Sequence, residues 1–227
     1  MSGADGRAET EGDGAMSSKR PPELSAALAH LRGVDAVLAR VIDDNPGFEP
    51  QAWIQRWPPL DLFGALVLEV TGQQISVTAA GAIFMRLLDH FGGNVPGPDE
   101  LATVEPGVLR AVGLSRQKAT TVRELAKSFR DGRLSERELS MLSDDDAISR
   151  LTEIKGVGPW TAKGALLIAH KRPDLVRSDD VALRNAIRVQ YGLDHVPSPP
   201  EVAELARRWS PYGSLASTLL LSAARPG

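Results

Sequence analysis

Helix starts punctuate this chain from one end to the other. Asp61 precedes the apolar run LFGALVLEVTG, Ser76 precedes VTAAGAIFMRLLDHF, and Ser115 precedes RQKATTVRELAKSFRDG. A short oxygen-bearing side chain at such a place accepts N–H groups that the first helical turn leaves unpaired. Ser135 with Glu138, and Ser198 with Glu201, have the three-residue spacing of a capping box. The stops match: Gly92-Gly93 ends the second run and Gly132 the third. Leu24, Leu28 and Leu31 share a helical face, as do Val34, Val37, Leu38, Val41 and Ile42, and Pro211 opens a last helix to about Ala224. No segment alternates apolar and polar residues over the length of a strand, and there is no internal repeat. The chain therefore reads as all-α.

Composition narrows the chemistry. There is no cysteine among the 227 residues, so disulfides, thiolate zinc sites and iron–sulfur clusters are excluded. His30, His90, His170 and His195 are scattered without metal-ligand spacing. Residues 1–20 are polar, small and charged, which predicts a disordered acidic tail with Met16 as an alternative start. No secretory signal or membrane span is evident, and the expected location is the cytoplasm, on the nucleoid in a bacterium. The formal net charge is −3, all of it in residues 1–15, so the rest of the chain is neutral. A neutral body lacks the basic excess usual in nucleic-acid binders, and any such binding must rest on local geometry.

That geometry is offered by LTEIKGVGPWTAKGALLIAH, residues 151–170. A short helix from Asp144 to Thr152, capped by Ser143 or Asp144, runs into Gly156-Val157-Gly158, and Pro159 suits the first position of the next helix. Glycine permits positive φ and close approach of another backbone. The turn then presents bare N–H groups at the positive end of a helix, a natural cradle for a phosphate. Backbone donors need no basic patch, which removes the objection from charge. The same residues also suit a plain helix–turn–helix connection. Downstream, Asp179 and Asp180 precede the helical run VALRNAI. Either can cap that helix; a carboxylate there can also stabilise a cationic sugar or orient a water.

The hairpin, with Asp180 placed 24 residues beyond Gly156, resembles the helix-hairpin-helix (HhH-GPD) DNA glycosylases. Three more segments match in order: FGALVLEVTGQQISVTAAGAIFMRL, LRAVGLSRQKATTVRELA and RRWSPYGSLAS. The branch most resembled is 3-methyladenine DNA glycosylase II, the alkylation-repair type, in a compact form without the N-terminal β domain of its larger members. The resemblance implies two helical subdomains with the active site in the cleft between them. Their expected extents are 21–58 plus 195–227 for one and 59–194 for the other. It implies a monofunctional glycosylase that flips an alkylated base out of double-stranded DNA and hydrolyses its N-glycosidic bond, as a monomer with no required cofactor.

Carried over residue by residue, Asp180 matches the catalytic aspartate, and Asp179 becomes a cap or hydrogen-bond partner. Trp160 stands where the lyase branch has its lysine, which implies no Schiff-base chemistry. Trp160 is then a stacking partner for the flipped base, or else packs the hairpin. Lys163 is read as a solvated helix residue and Lys118 as structural or phosphate-facing. Gly156, Val157, Gly158 and Thr161 would hold the DNA backbone. Gln74, or Ile75 beside it, would wedge into the gap left by the flipped base; alternatively Gln73 and Gln74 satisfy buried backbone groups. The carbonyls of Thr152, Ile154 and Val157 would hold a structural Na+ or K+.

Departures from the family pattern concern the pocket. Val181 and Gly164 stand where larger relatives have aromatics, and Gly213 where many have arginine. These imply a wider, less aromatic pocket. Trp53, Trp57, Phe63, Trp209 and Tyr212 are expected in the core rather than the pocket. Two competing readings remain: a non-catalytic helix-hairpin-helix DNA-binding module, and a glycosylase of another base specificity.

Overall fold

The structure, a computed structural model, describes residues 21–50, 54–55 and 57–224. The expected tail at 1–20 and Trp53 lie outside the described residues. Thirteen α-helices and one 3-10 turn are present among the described residues, with no strand. In chain order the helices are α1 (Pro22–Val34), α2 (Ala36–Asp44), α3 (Leu62–Gly72), α4 (Val77–His90), α5 (Pro98–Thr103), α6 (Pro106–Ala111), α7 (Arg116–Arg130), α8 (Glu136–Met141), α9 (Asp144–Thr152), α10 (Pro159–Ala169), α11 (Val181–Tyr191), α12 (Pro199–Ala206) and α13 (Gly213–Ala223). The 3-10 turn, Arg207–Trp209, follows α12 directly, and the last helix starts at Gly213, two residues after the Pro211 expected to open it. Among the described residues, no helix is long and apolar enough to cross a membrane.

The caps fall where the sequence put them. Asp61, Ser76, Ser115, Ser135 and Ser143 each accept a backbone N–H from the first turn of the helix they precede. Ser198 and Glu201 form the reciprocal capping box of α12. One cap was not foreseen. Asp35 breaks the first apolar run into α1 and α2, accepting N–H bonds from Val37 and Leu38. Its other oxygen takes the Tyr191 hydroxyl at 2.7 Å and the Trp209 indole N–H at 3.3 Å. This buried carboxylate thus ties α2, α11 and the 3-10 turn together, and it pushes the Tyr191 phenol far above its ordinary pKa, adding to the effect of burial.

Two hydrophobic cores organise the helices. The first surrounds α3, whose residues from Leu62 to Thr71 are all buried. A helix apolar on every side must be enclosed, and α4, α7 and α10 enclose it. The second core joins α1 and α2 to α11, α12 and α13 around the fully buried Trp209. Helix α11 therefore differs from its expected placement within 59–194: Leu183, Ala186 and Ile187 are buried in the second core. The segment between α10 and α11 crosses from one core to the other, with Leu175 buried in the first and Val176 packed on the second. Trp57, Phe63 and Trp209 are core residues, and Tyr212 packs against the second core.

Candidate active site

The hairpin joins α9 to α10 through residues 153–158. Gly156 has φ +93°, and a Cβ there would stand 2.1 Å from Thr121 Oγ1, so only glycine fits the turn against α7. Gly158 is the extended N-cap of α10, Pro159 opens the helix, and nothing lies within 4 Å of a Cβ built at Gly158. The space beside Gly158 is thus open, and no side chain caps the first-turn N–H groups of α10. Val157 and Thr161, expected against DNA, have buried side chains. The Thr161 hydroxyl accepts from Gln73 Nε2 at 2.9 Å, so both residues can reach a phosphate only through backbone groups.

Of the two glutamines, Gln73 is the one that satisfies buried groups. Gln73 closes α3 and bonds the hairpin twice, to Thr161 Oγ1 and to the Gly156 carbonyl at 3.0 Å. Gln74 has φ +56°, an uncommon conformation for a residue with a side chain, and stands exposed at the apex next to Ile75, which is 39% exposed. Lys118 is structural: its ammonium donates to the Thr71 carbonyl at 2.9 Å, and burial lowers its pKa. The Ile154 carbonyl, one of three candidates for a cation, already accepts the Val157 N–H at 3.0 Å and keeps one lone pair.

Asp180 is the N-cap of α11. Its Oδ1 accepts the N–H groups of Ala182 at 2.8 Å and Leu183 at 3.1 Å, which fixes the carboxylate and leaves Oδ2 outside these bonds. Asp179, expected to be a cap or a hydrogen-bond partner, is exposed and does not cap α11. The segment before Asp180 is pinned to α13: Asp174 accepts the Gly213 N–H at 2.9 Å and the Ser210 hydroxyl at 2.6 Å, and Ser214 Oγ accepts the Leu175 N–H at 2.9 Å. A Cβ on Gly213 would stand 2.7 Å from Val176 Cγ2 and 2.8 Å from Asp174 Oδ1. Gly213 is thus the residue that lets this segment lie down.

The space around Trp160 corrects the expectation of a wide pocket. Glu69, from α3, occupies the room above Gly164: a Cβ on Gly164 would fall 2.3 to 2.5 Å from its carboxyl atoms. Arg177 lies over the Trp160 ring, its Cζ 3.4 Å from the centroid, and its Nη2 is 3.5 Å from Glu69 Oε2. Burial drives the Glu69 pKa up to about 7, Arg177 opposes the shift, and the charge of Asp180 adds to it. Sequence reasoning missed both Glu69 and Arg177. Glu69 carried a signal, being the single charge in an otherwise apolar helix; Arg177 carried none. Lys163 faces another way, into a cleft of about 650 Å³ shared with Asp144, Asp145 and Asp174.

The segment that crosses between the two cores thus carries a carboxylate fixed at the start of α11 and a guanidinium stacked on Trp160, one residue beyond the opening Pro159 of an uncapped helix. The same fold occurs in solved structures. A 3-methyladenine DNA glycosylase of Schizosaccharomyces pombe, in complex with abasic DNA, superposes with a TM-score of 0.79 at 28% identity, over 87% of this chain and 95% of that one. A DNA-3-methyladenine glycosidase from Bacillus halodurans gives 0.71 at 29% identity, over 90% of each chain. In sequence, DNA-3-methyladenine glycosylase 1 of S. pombe is 29% identical across 87% of this chain and 86% of its own length. DNA-3-methyladenine glycosylase 2 of Escherichia coli is 26% identical, with 63% of its length covered. Residues 67–211, which hold the Gln73–Gln74 turn, the hairpin and Asp180, match the family model itself, and the chain belongs to the HhH-GPD superfamily of base excision DNA repair proteins.

Proposed function

We propose that this chain is a monofunctional DNA glycosylase that removes alkylated bases of the 3-methyladenine type. The observation that carries the reading is Asp180 held by two backbone N–H groups and close enough to Glu69 to act on its charge, while the Arg177 paired with Glu69 covers the Trp160 ring and Lys163 lines a separate cleft. Alkylation puts positive charge on the base and makes it a good leaving group. Extruding the nucleotide costs a few kcal/mol, and Gln74 or Ile75 at the exposed turn fills the vacated stack. The hairpin N–H groups hold the DNA backbone, and a Na+ or K+ on the carbonyls of Thr152, Ile154 and Val157 would add a positive charge there. Asp180 then stabilises the developing oxocarbenium-like sugar, or takes a proton from the attacking water. With a tryptophan at position 160 and Lys163 lining another cleft, the product is read as an intact abasic site, released by a monomer. A non-catalytic DNA-binding module would need neither the fixed carboxylate nor the pocket behind it.

The test is excision from duplexes carrying 3-methyladenine or 7-methylguanine. Asp180→Asn is expected to lower excision by about a thousandfold or more while duplex affinity stays within a few-fold. Product strands should break only after hot alkali, and borohydride should trap no adduct. Loss of activity in Asp179→Asn with retention in Asp180→Asn would reassign the carboxylate. A trapped adduct that vanishes in Lys163→Ala would make the enzyme a lyase.

A further inference from the structure

Trp160, Glu69 and Arg177 form a cluster that the reaction as described does not use in full. The guanidinium is a flat, delocalised cation lying on an indole face at 3.4 Å, the place and manner in which a flipped cationic base would lie. Its charge is answered by Glu69 across 3.5 Å, an ion pair too long to be a good hydrogen bond. Arg177 Nε, Arg177 Nη2 and Glu69 Oε2 are all buried, and none has a hydrogen-bond partner among the described residues. A structural buried ion pair normally satisfies these atoms, because an unmade bond to a buried charged group costs more than it does in water. Here the partners are held apart and bound only by charge and stacking.

The supports differ in stiffness. Trp160 and Glu69 sit on α10 and α3, which pack directly on each other, and the Glu69 carboxyl rests on the bare Cα of Gly164. Arg177 instead belongs to the crossing segment, whose backbone is pinned at Asp174 and Leu175 but whose long side chain needs only torsional rotation to leave. Departure breaks no well-formed hydrogen bond. What remains is an aromatic face and a buried carboxylate, with Asp180 near enough to act on that carboxylate's charge.

We propose that Arg177 is a built-in stand-in for a cationic base, stacked on Trp160 until a damaged nucleotide displaces it, and that Glu69 then selects the base by its positive charge. The inference rests on the glycosylase reading for the nature of the guest. It adds a specificity residue on α3 and a plug that denies the pocket to neutral, undamaged bases, which gain stacking but no carboxylate when they expel Arg177.

The test is binding without chemistry. Titration of the free protein with 1-methyladenosine, a cationic nucleoside, and with neutral adenosine gives a preference for charge for each variant. Arg177→Met is expected to bind both nucleosides about tenfold more tightly, since the competitor is gone, and to keep the preference. Glu69→Gln is expected to cut the preference by about tenfold, with Asp180 supplying the remainder. The double variant Glu69→Gln/Arg177→Met removes both buried charges together, so neither is left unpaired. It should bind adenosine more tightly than the wild type and discriminate least. No gain in affinity on losing Arg177, in either background, would overturn the plug and leave Arg177 as a structural counter-ion. An unchanged preference in Glu69→Gln would overturn the selector. Excision is scored separately: an inactive protein with this binding pattern would sink the glycosylase reading alone, and an active enzyme without it would sink this inference alone.

Discussion

Two points on the interface between α3 and α10 lie about one helical turn apart, roughly 6 Å along the axis, and are built on opposite terms. At one, Gln73 from the end of α3 gives its amide N–H groups to the Gly156 carbonyl and the Thr161 hydroxyl, both at hydrogen-bond distance. At the other, Glu69 lies over Gly164 with an oxygen that no hydrogen bond reaches, facing a guanidinium in the same condition. The first contact locks the hairpin to the central helix with neutral hydrogen bonds. The second stores unsatisfied charge in the same wall. A neutral amide at position 69 would fit the space of the carboxylate, so stability alone gives no reason for a charge. The hairpin end is built for rigidity; the Glu69 end keeps unsatisfied charge, which the proposed displacement by a cationic base would use.

The largest effect is expected where the rigid end is attacked. Gly156→Ala combines a φ of +93° with a Cβ driven onto Thr121, whose side chain is itself buried. The loss of unfolding free energy should be about 3–4 kcal/mol by denaturant titration, with excision lost in parallel. A variant destabilised by less than about 1 kcal/mol would show that the turn is softer than the comparison requires.

Charge at the pocket end should appear as pH dependence. The folded-state pKa of Glu69 is about 7 against 4.5 for the exposed group, so the folded protein holds this proton more tightly. The resulting stability is complete below about 4.5 and is lost as pH rises through about 7. Glu69→Gln removes that dependence. The variant should match the wild type at about pH 4 and below and exceed it by about 3 kcal/mol near pH 8–9. Parallel stability–pH curves would mean that the Arg177 pair keeps Glu69 charged throughout at no cost.

Gly164→Ala sharpens the same point with a smaller effect. The added methyl lands on the end of a side chain that can turn aside, so the expected loss is about 1–2 kcal/mol. If the glycine exists to seat the carboxyl, Glu69→Ala should restore most of the loss in the double variant, while Gln73→Ala should add to it independently.

The two ends were not equally legible in the sequence. Gly156, Gly158 and Pro159 are local punctuation, each with a backbone reason to be where it is, so the turn and the short helix before it could be read from spacing. Asp180 needed the resemblance, because two adjacent acids before a helix offer equal claims to the cap; only the folded chain shows Asp180 taking both N–H groups. Asp35 was hidden for the opposite reason: it interrupts an apolar pattern that looks continuous, and its Tyr191 and Trp209 partners are more than 150 residues away. The placement of α11 depended on which core would claim its apolar face, a long-range choice that periodicity does not record. Gly164 and Gly213 read as missing bulk and suggested an open pocket; the room was filled by Glu69 in one case and by Val176 and Asp174 in the other. A glycine announces that something approaches, but the sequence does not say what.

Gly158→Ala should have the smallest effect on stability and is the finest probe of the hairpin's purpose. Its backbone is extended, at φ −94° and ψ 171°, which alanine adopts without strain, and no atom lies within 4 Å of the new methyl. Unfolding free energy should change by no more than about 0.5–1 kcal/mol, since the residue is an N-cap with no side-chain bond to lose. If the space before α10 receives a phosphate, however, the methyl stands in its path, and affinity for abasic-site duplex should fall several-fold. The loss should persist at raised salt, because the contact depends on backbone N–H groups more than on released counterions. Gly156→Ala loses binding through the fold, and Gly158→Ala should lose it with the fold intact. Unchanged affinity in a stable Gly158→Ala protein would mean that the turn only joins two helices and that DNA is held elsewhere.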